Sequence, residues 1–266
     1  MEIRHQTTGA VQWTGETLVR ARLVYERLDY AALAGADLTG ADLRHADLSV
    51  ADLRGARLVG ANLTGADLSG VHLDHADLTG ADLTDVRLLY AHLNEATLDE
   101  ANFTRATLSH ADLSQVRGDS VRFVRAWLEH ARLTGARLAG ADFSGAHLDF
   151  AELSGAYLAY ATLEDADLTS ARLRDAVLTG AQLDLAKLDR TELEAADLHD
   201  AIFCRTAVTG CADLHRAVGL ESVAHRGSSA LDTATLRASV ARLPDSFLLG
   251  VGLTAREVSA MRELYR

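Results

Sequence analysis

The sequence predicts a solenoid, a fold in which one short unit is repeated and stacked along an axis. A five-residue frame runs from Val11 to Gly210 without insertion or deletion, and these 200 residues make 40 units. The first position of a unit is nearly always Ala, and the third is nearly always Leu or Phe. This period fits neither the 3.6-residue turn of an α-helix nor the two-residue alternation of a β-strand. The chain therefore has to turn after every unit, and stacked units have to supply the core for one another.

The positions of glycine and proline agree with this prediction. Of the 20 glycines, 14 occupy the fifth position of a unit, where a turn needs a permissive backbone. The single proline, Pro244, lies outside the repeats. Every unit thus keeps the backbone N–H groups that pairing between stacked units requires.

Residues 36–56, ADLTGADLRHADLSVADLRGA, resemble the pentapeptide-repeat family, whose pattern is A-[DN]-L-x-x. The resemblance extends over about three quarters of the chain. It implies an all-β solenoid, a right-handed quadrilateral β-helix of about ten coils with four units in each coil. The first and third side chains of each unit would then point inward, and the other three would face solvent.

The sequence divides into three segments. Residues 1–15 are predicted to form an N-terminal cap, because Trp13 is too bulky to stack among the leucines of the third position. Residues 16–210 form the β-solenoid. Residues 211–266, where the frame is lost, are predicted to form a small α-helical C-terminal cap or docking segment.

Two helices are expected in the C-terminal segment. The first ends before Pro244, and the second begins with a capping box formed by Thr254 and Glu257. The apolar run at residues 247–249 is larger than a lid needs and is interpreted as a possible docking element. The apolar side chains with helical spacing in the first helix are Leu231, Leu236, Val240 and Leu243.

If 20 residues close one coil, side chains 20 apart lie one above another on the same face. Second-position residues on one face then alternate in charge and can form ion pairs between coils about 4.8 Å apart. This column reads Asp112, Arg132, Glu152, Arg172, Glu192.

Composition excludes several classes of protein. The net charge is −12, and no apolar run approaches the roughly 20 residues that cross a bilayer. The N-terminus lacks the apolar stretch of a signal peptide, so a cytoplasmic protein without membrane contact or disulfides is expected. No phosphate loop, nucleophile elbow or metal-ligand spacing is present, so neither catalysis nor a cofactor is predicted.

One unit departs from the repeat in its core. Gly118 replaces the third-position Leu, and a cavity of leucine size would cost about 2–5 kcal/mol if it stayed empty. Three phenylalanines follow one another on the adjoining face, and their rings are expected to reach into that space. They are Phe103, Phe123 and Phe143.

A cluster of outward-facing aromatic and basic residues surrounds this unit. Aromatic side chains together with Arg are typical of protein interfaces, so the cluster predicts a surface for a partner protein or for a second copy of the chain. Its three histidines match no metal-binding spacing, and no metal is predicted. The residues are Tyr90, His110, Arg122, Arg125, Trp127, His130, His147 and Phe150.

The family resemblance implies an alternative function. Some members resemble B-form DNA in width, shape and negative charge, and bind DNA gyrase or topoisomerase IV in its place. Residues 16–210 carry 31 acidic and 18 basic side chains, which fits such a ligand of a type II topoisomerase. Residues 116–140, the basic belt, carry 2 acidic and 5 basic side chains and divide the acidic rod. Direct binding of nucleic acid is not expected.

Overall fold

The computed structural model describes residues 1–265 and shows coils stacked along one axis. Second-position residues pair in parallel with the residue 20 positions further on, beginning with Arg22 and Asp42 and continuing to Lys187 and Ala207. One coil therefore takes 20 residues, and its four units form four faces. Because each unit contributes a short extended segment, the coils are joined by single bridges rather than by long strands.

Backbone hydrogen bonds connect every coil to the next one. The N–H of Leu43 donates to the carbonyl of Asn62 at 2.7 Å, and the N–H of Asn62 donates back to the carbonyl of Ala41 at 2.9 Å. At the corner, the N–H of His45 donates to the carbonyl of Thr64 at 3.0 Å. A proline at any of these donor positions would remove one bond of the ladder.

A tight turn closes each unit at its fifth position. The N–H of Ala46 donates to the carbonyl of Leu43 at 3.0 Å, and His45 has a φ of 57° in this turn. Non-glycine residues at fifth positions from Arg20 to Arg205 adopt φ values between 53° and 61°. A positive φ at the third residue of a turn favours glycine, which explains the glycine pattern of the sequence.

The core is a continuous file of first- and third-position side chains. Ala41 and Leu43 are fully buried, and equivalent residues are buried in successive coils. Each buried Leu contributes roughly 1.5–3 kcal/mol relative to an exposed one. Stability thus grows coil by coil along the rod.

Ion pairs follow the predicted charge column on the surface. Arg132 and Asp112 approach within 3.9 Å, whereas Arg172 contacts both Glu152 at 3.2 Å and Glu192 at 3.6 Å. Their side chains are partly exposed, so each pair contributes little to stability. The column confirms that residues 20 apart are neighbours.

A β-hairpin lies on the N-terminal end of the rod. Strand β1 (Glu2–Arg4) pairs antiparallel with β2 (Val11–Thr14), and the Arg4 carbonyl accepts a bond from the Ala32 N–H at 2.8 Å. Ile3 is buried at the end of the leucine file, and Trp13 is half-buried beside it. The hairpin thereby covers the first coil.

Parallel pairing continues beyond Gly210 with a longer spacing. β3 (Ile202–Phe203) pairs with β5 (Ala224–His225), and β4 (Ala207–Val208) pairs with β6 (Ala230–Leu231). The paired residues are 22 and 23 apart, and two 3₁₀ turns lie in the intervening chain. Leu231 therefore lies in a strand, and its predicted place in a helix is wrong. Its spacing from Leu236 is a coincidence, since the last paired strand ends at Leu231 and the following helix begins only at Thr233.

Three short helices follow, α1 (Thr233–Ser239), α2 (Asp245–Gly250) and α3 (Ala255–Leu264). The predicted capping box at Thr254 and Glu257 is present at the start of α3. Within residues 1–265, none of the helices combines the length and the apolar character needed to span a membrane.

Helix α2 places two apolar side chains against the last coils. Phe247 and Leu248 are fully buried, and the Phe247 ring packs edge-on against Phe203 and His225 at centroid distances of 6.1 and 5.1 Å. Only Leu249 of the apolar run remains exposed. Most of the apolar surface that the sequence offered for docking is therefore used within the chain.

The unit at Gly118 closes around its missing side chain. A Cβ atom built on Gly118 would lie 2.5 Å from Cγ2 of Val121 and 3.0 Å from two atoms of Leu98. The three nearest atoms thus belong to these residues, and none belongs to a phenylalanine. The phenylalanines form a buried stack of their own on the adjoining face, with ring centroids 5.0 and 4.9 Å apart. They are Phe103, Phe123 and Phe143.

Gly118→Ala is expected to lower the free energy of unfolding by about 1–3 kcal/mol, because the added methyl group overpacks the site. Chemical denaturation monitored by circular dichroism measures this change. The double variant Gly118→Ala, Val121→Ala removes the atom that would clash, so its loss is expected to be smaller than the sum of the two single losses. Additive losses would contradict the proposed clash.

Candidate protein-interaction surface

A column of four aromatic rings lies on one corner of the rod. We call it the corner stack, and it consists of Tyr90, His110, His130 and Phe150, all at fifth positions. Successive ring centroids are 5.1, 4.9 and 4.9 Å apart, and the planes differ by no more than 12°. The turn fixes each of these residues at φ between 57° and 61°, so the rings are held one above another. Tyr90 and Phe150 are 62% and 52% exposed.

A second aromatic pair lies on the flat face beside the corner stack. Trp127 and His147 occupy second positions in successive coils, and their rings stack at 4.1 Å with planes 5° apart. Trp127 is 46% exposed even with His147 on one side of the ring. The face therefore presents a broad, flat and rigid apolar surface.

An open groove borders Trp127 on the side away from the corner stack. Its volume is about 360 Å³, and Arg125 leans across it, with its Cγ atom 3.3 Å from the position of a Cβ on Gly145. Arg122 is exposed on the adjoining face but does not line this groove. The structure thus brings seven of the eight predicted residues to one face and its two corners. The groove is lined by Arg105, Arg125, Trp127, Gly145, His147 and Asp165.

Carboxylates lie between the two aromatic groups. Glu129 accepts a hydrogen bond from the Ser109 hydroxyl at 2.6 Å, and Asp149 follows it one coil further along the same column. Burial raises the pKa of the Asp149 carboxyl, and the negative charges of Glu129 and Asp167 raise this pKa further. Sequence reasoning missed both acids, although their spacing of 20 residues was a signal that could have found them.

Asp149→Asn is expected to raise the melting temperature at pH 7. Because the folded-state pKa is raised, ionisation of Asp149 destabilises the fold. The gain should shrink as the pH falls through the folded-state pKa and disappear only well below the unfolded-state pKa of about 3.9, where the carboxyl is protonated in both states. Solvent screening limits the effect to no more than about 2–4 °C. Thermal melts at pH 7 and at this low pH measure it.

Asp167→Asn is the matched control with the opposite sign. Burial opposes ionisation of Asp167, but hydrogen bonds from Thr169 and Lys187 outweigh this effect and lower its pKa. Its replacement should therefore lower the melting temperature at pH 7. A fall in melting temperature for both variants would contradict the assignment for Asp149.

The histidines of this surface are stacked on other rings. His110 lies between Tyr90 and His130, and His147 lies on Trp127. Within residues 1–265, no three His, Cys, Asp or Glu side chains are arranged to hold a metal ion. The surface consists of stacked aromatic rings that are partly exposed.

Comparisons with solved structures find a pentapeptide-repeat protein and a fluoroquinolone resistance protein. HetL, a pentapeptide-repeat protein involved in heterocyst differentiation regulation from the cyanobacterium Nostoc sp. strain PCC 7120, is 29% identical over 81% of this chain and 91% of its own, with a TM-score of 0.38. QnrB1, a plasmid-mediated fluoroquinolone resistance protein, is 15% identical over 77% of this chain and 94% of its own, with a TM-score of 0.52. No curated protein sequence matches the chain.

The family profile described as "Pentapeptide repeats (8 copies)" matches overlapping segments that together span residues 31–204. This match covers more than half of the chain and, together with the likeness to the QnrB1 structure, implies a right-handed β-helix solenoid. The chain therefore belongs to the pentapeptide-repeat family.

Proposed function

We propose that this protein is a non-catalytic scaffold that binds a partner protein through the corner stack and Trp127. The observation that supports this best is the exposed Trp127 ring, held flat by His147 and lying beside four further stacked rings. Tyr and Trp are enriched among the residues that dominate binding energy at protein interfaces. Most of the rod surface is charged or small, so this face differs from its surroundings.

The backbone ladder favours binding by preorganisation. Stacking fixes the rings, and coil-to-coil bonds fix the backbone beneath them, so little conformational entropy is lost when a partner docks. Arg125 at the edge of the face supplies hydrogen-bond donors, and Glu129 and Asp149 supply acceptors. The partner surface that fits is flat and apolar at its centre, with polar groups at its rim.

The combined variant Trp127→Ala, Tyr90→Ala tests this proposal. We expect it to lose the proteins that the unaltered chain captures from its source cell, as well as any self-association seen by sedimentation. Tyr25→Ala is the matched control. Tyr25 is 72% exposed and stacks on His45, and it lies in the corner column of Arg125 but near the N-terminal end of the rod, several coils away from Trp127. Capture and association that are unchanged in the double variant would refute the proposal.

A second candidate is a ligand of a type II topoisomerase that takes the place of DNA. It is favoured by the 31 acidic against 18 basic side chains of residues 16–210. The purified protein would then alter gyrase supercoiling in a dose-dependent manner, and added salt would weaken the effect. An unchanged supercoiling reaction at micromolar protein would exclude this candidate.

A further inference from the structure

A second groove lies on the side of the rod away from Trp127. It has a volume of about 610 Å³. It runs along the corner formed by Gln115, Gly135 and Gly155, and this corner adjoins the face that contains Gly118. Third positions 118 and 128 are two faces apart in a four-faced coil, so this groove and Trp127 lie on different sides of the rod. Its lining includes Gln115, Asp119, Gly135, Arg137, Gly155 and Tyr157.

Small residues create the space in this groove. Gly135 and Gly155 lie at the same corner in successive coils, and Ala139 lines the groove on the side away from this corner. The Gln115 side chain leans over Gly135, where its amide nitrogen is 2.1 Å from the position of a Cβ. Tyr157, which is 44% exposed, forms a wall. The groove therefore has room for a few residues of an extended chain.

Arg137 lines this groove, and Arg117 precedes it by one coil in the same column. Neither arginine forms an ion pair within residues 1–265. Like charges placed opposite one another on neighbouring strands are destabilising. Arg57, three coils before Arg117 in the same column, instead lies 3.9 Å from Asp37. The stacked arginines are thus an unneutralised positive charge in a rod that is otherwise rich in acids.

Asp119 reduces this charge but does not cancel it. Asp119 lines the groove, and its backbone N–H donates to the Asp99 carboxylate at 2.8 Å. The basic belt as a whole carries 5 basic and 2 acidic side chains, so a net positive charge remains. An anionic ligand finds charge complementarity at these two arginines.

The charge pattern along the axis restricts the length of such a ligand. Residues 31–115 and 141–210 each carry 13 acidic and 5 basic side chains, and they flank the basic belt on both ends. A nucleic acid strand would extend onto these repelling segments. A second copy of the chain docked about a two-fold axis on this groove would place the same arginines opposite each other. A short acidic segment avoids both conflicts.

We propose that this groove binds a short acidic segment of a partner protein in extended conformation. Two carboxylates two residues apart, about 6.7 Å, accept hydrogen bonds from Arg117 and Arg137. The chain between them lies over Gly155, where the space above the backbone is open, beside the Tyr157 ring. This site is independent of the proposed aromatic surface, and the scaffold would hold two partners on different sides.

Fluorescence anisotropy with a labelled Gly-Glu-Thr-Glu-Thr-Gly peptide tests the inference. We expect the affinity to fall at least about tenfold in the double variant Arg117→Ala, Arg137→Ala, because hydrogen bonds to charged groups are lost. Arg57→Ala is the matched control on the same face and should change the affinity less than about twofold. The Trp127→Ala, Tyr90→Ala variant should bind the peptide as the unaltered chain does, which separates this inference from the proposed function.

Three outcomes would overturn the inference. The first is the absence of saturable peptide binding to the unaltered chain. The second is an equal loss in Arg57→Ala, which would indicate a general charge effect. The third is tighter binding of a single-stranded oligonucleotide than of the peptide, with the same arginines required. Because the three arginines are exposed, circular dichroism should show all variants folded.

Discussion

Phe123→Ala is expected to lower the free energy of unfolding by about 3–5 kcal/mol. The ring is fully buried and lies between Phe103 and Phe143, so its removal leaves a cavity and breaks two stacked contacts. Aromatic pairs contribute about 0.5–1.5 kcal/mol beyond their buried area. Because each coil contacts only its neighbours, the loss should be concentrated in the coils around residue 123.

Amide hydrogen exchange resolves this effect along the rod. Protection should fall most between residues 103 and 143 and least near the N-terminal hairpin. Phe123→Leu is the control, since Leu is the usual third-position residue and retains most of the volume, and we expect it to cost less than about 1.5 kcal/mol. A loss below about 1 kcal/mol for the alanine variant would show that the stack is not a strong contact.

Phe247→Ala is expected to destabilise the C-terminal end by about 3–5 kcal/mol. Helix α2 inserts this side chain against Phe203 and His225, and the ring is fully buried there. Its loss should release the helix from the last coil and expose the end of the leucine file. We expect increased binding of an apolar dye and concentration-dependent association of rods.

Leu249→Ala is the matched control for this prediction. Leu249 lies two residues further along the same helix and is 47% exposed, so its truncation should change stability by less than about 0.5 kcal/mol. Sedimentation and thermal melts compare the two variants. Equal effects would mean that α2 does not cover the core through Phe247.

The buried pattern and the surface columns were predictable because the repeat has one fixed period. Once 20 residues close a coil, Asp112 must lie beside Arg132, and His110 beside His130. The aromatic residues of the candidate surface were found in this way. Glu129 and Asp149 escaped attention because acidic residues are common at outward positions, although their spacing of 20 residues places them in one column.

The two places where the repeat ends or is broken were harder to predict. Leu231 has helical spacing but lies in a strand, since the last coils take up extra residues. At Gly118 the backbone and Val121 close the gap, an adjustment that depends on neighbouring atoms rather than on a pattern. Local departures of this kind have no second copy in the sequence from which they could be inferred.

The sequence by itself determined the period and the inward positions, because apolar residues recur at fixed places in every five-residue unit. The order of side chains in each column followed from the four units per coil that the family resemblance implies. Only the tertiary structure decided which exposed groups meet. Ring stacking at Trp127, the lean of Arg125 and the groove beside Arg137 depend on side-chain directions and on gaps left by glycines. These contacts span different coils and corners, and packing rather than periodicity selects among them.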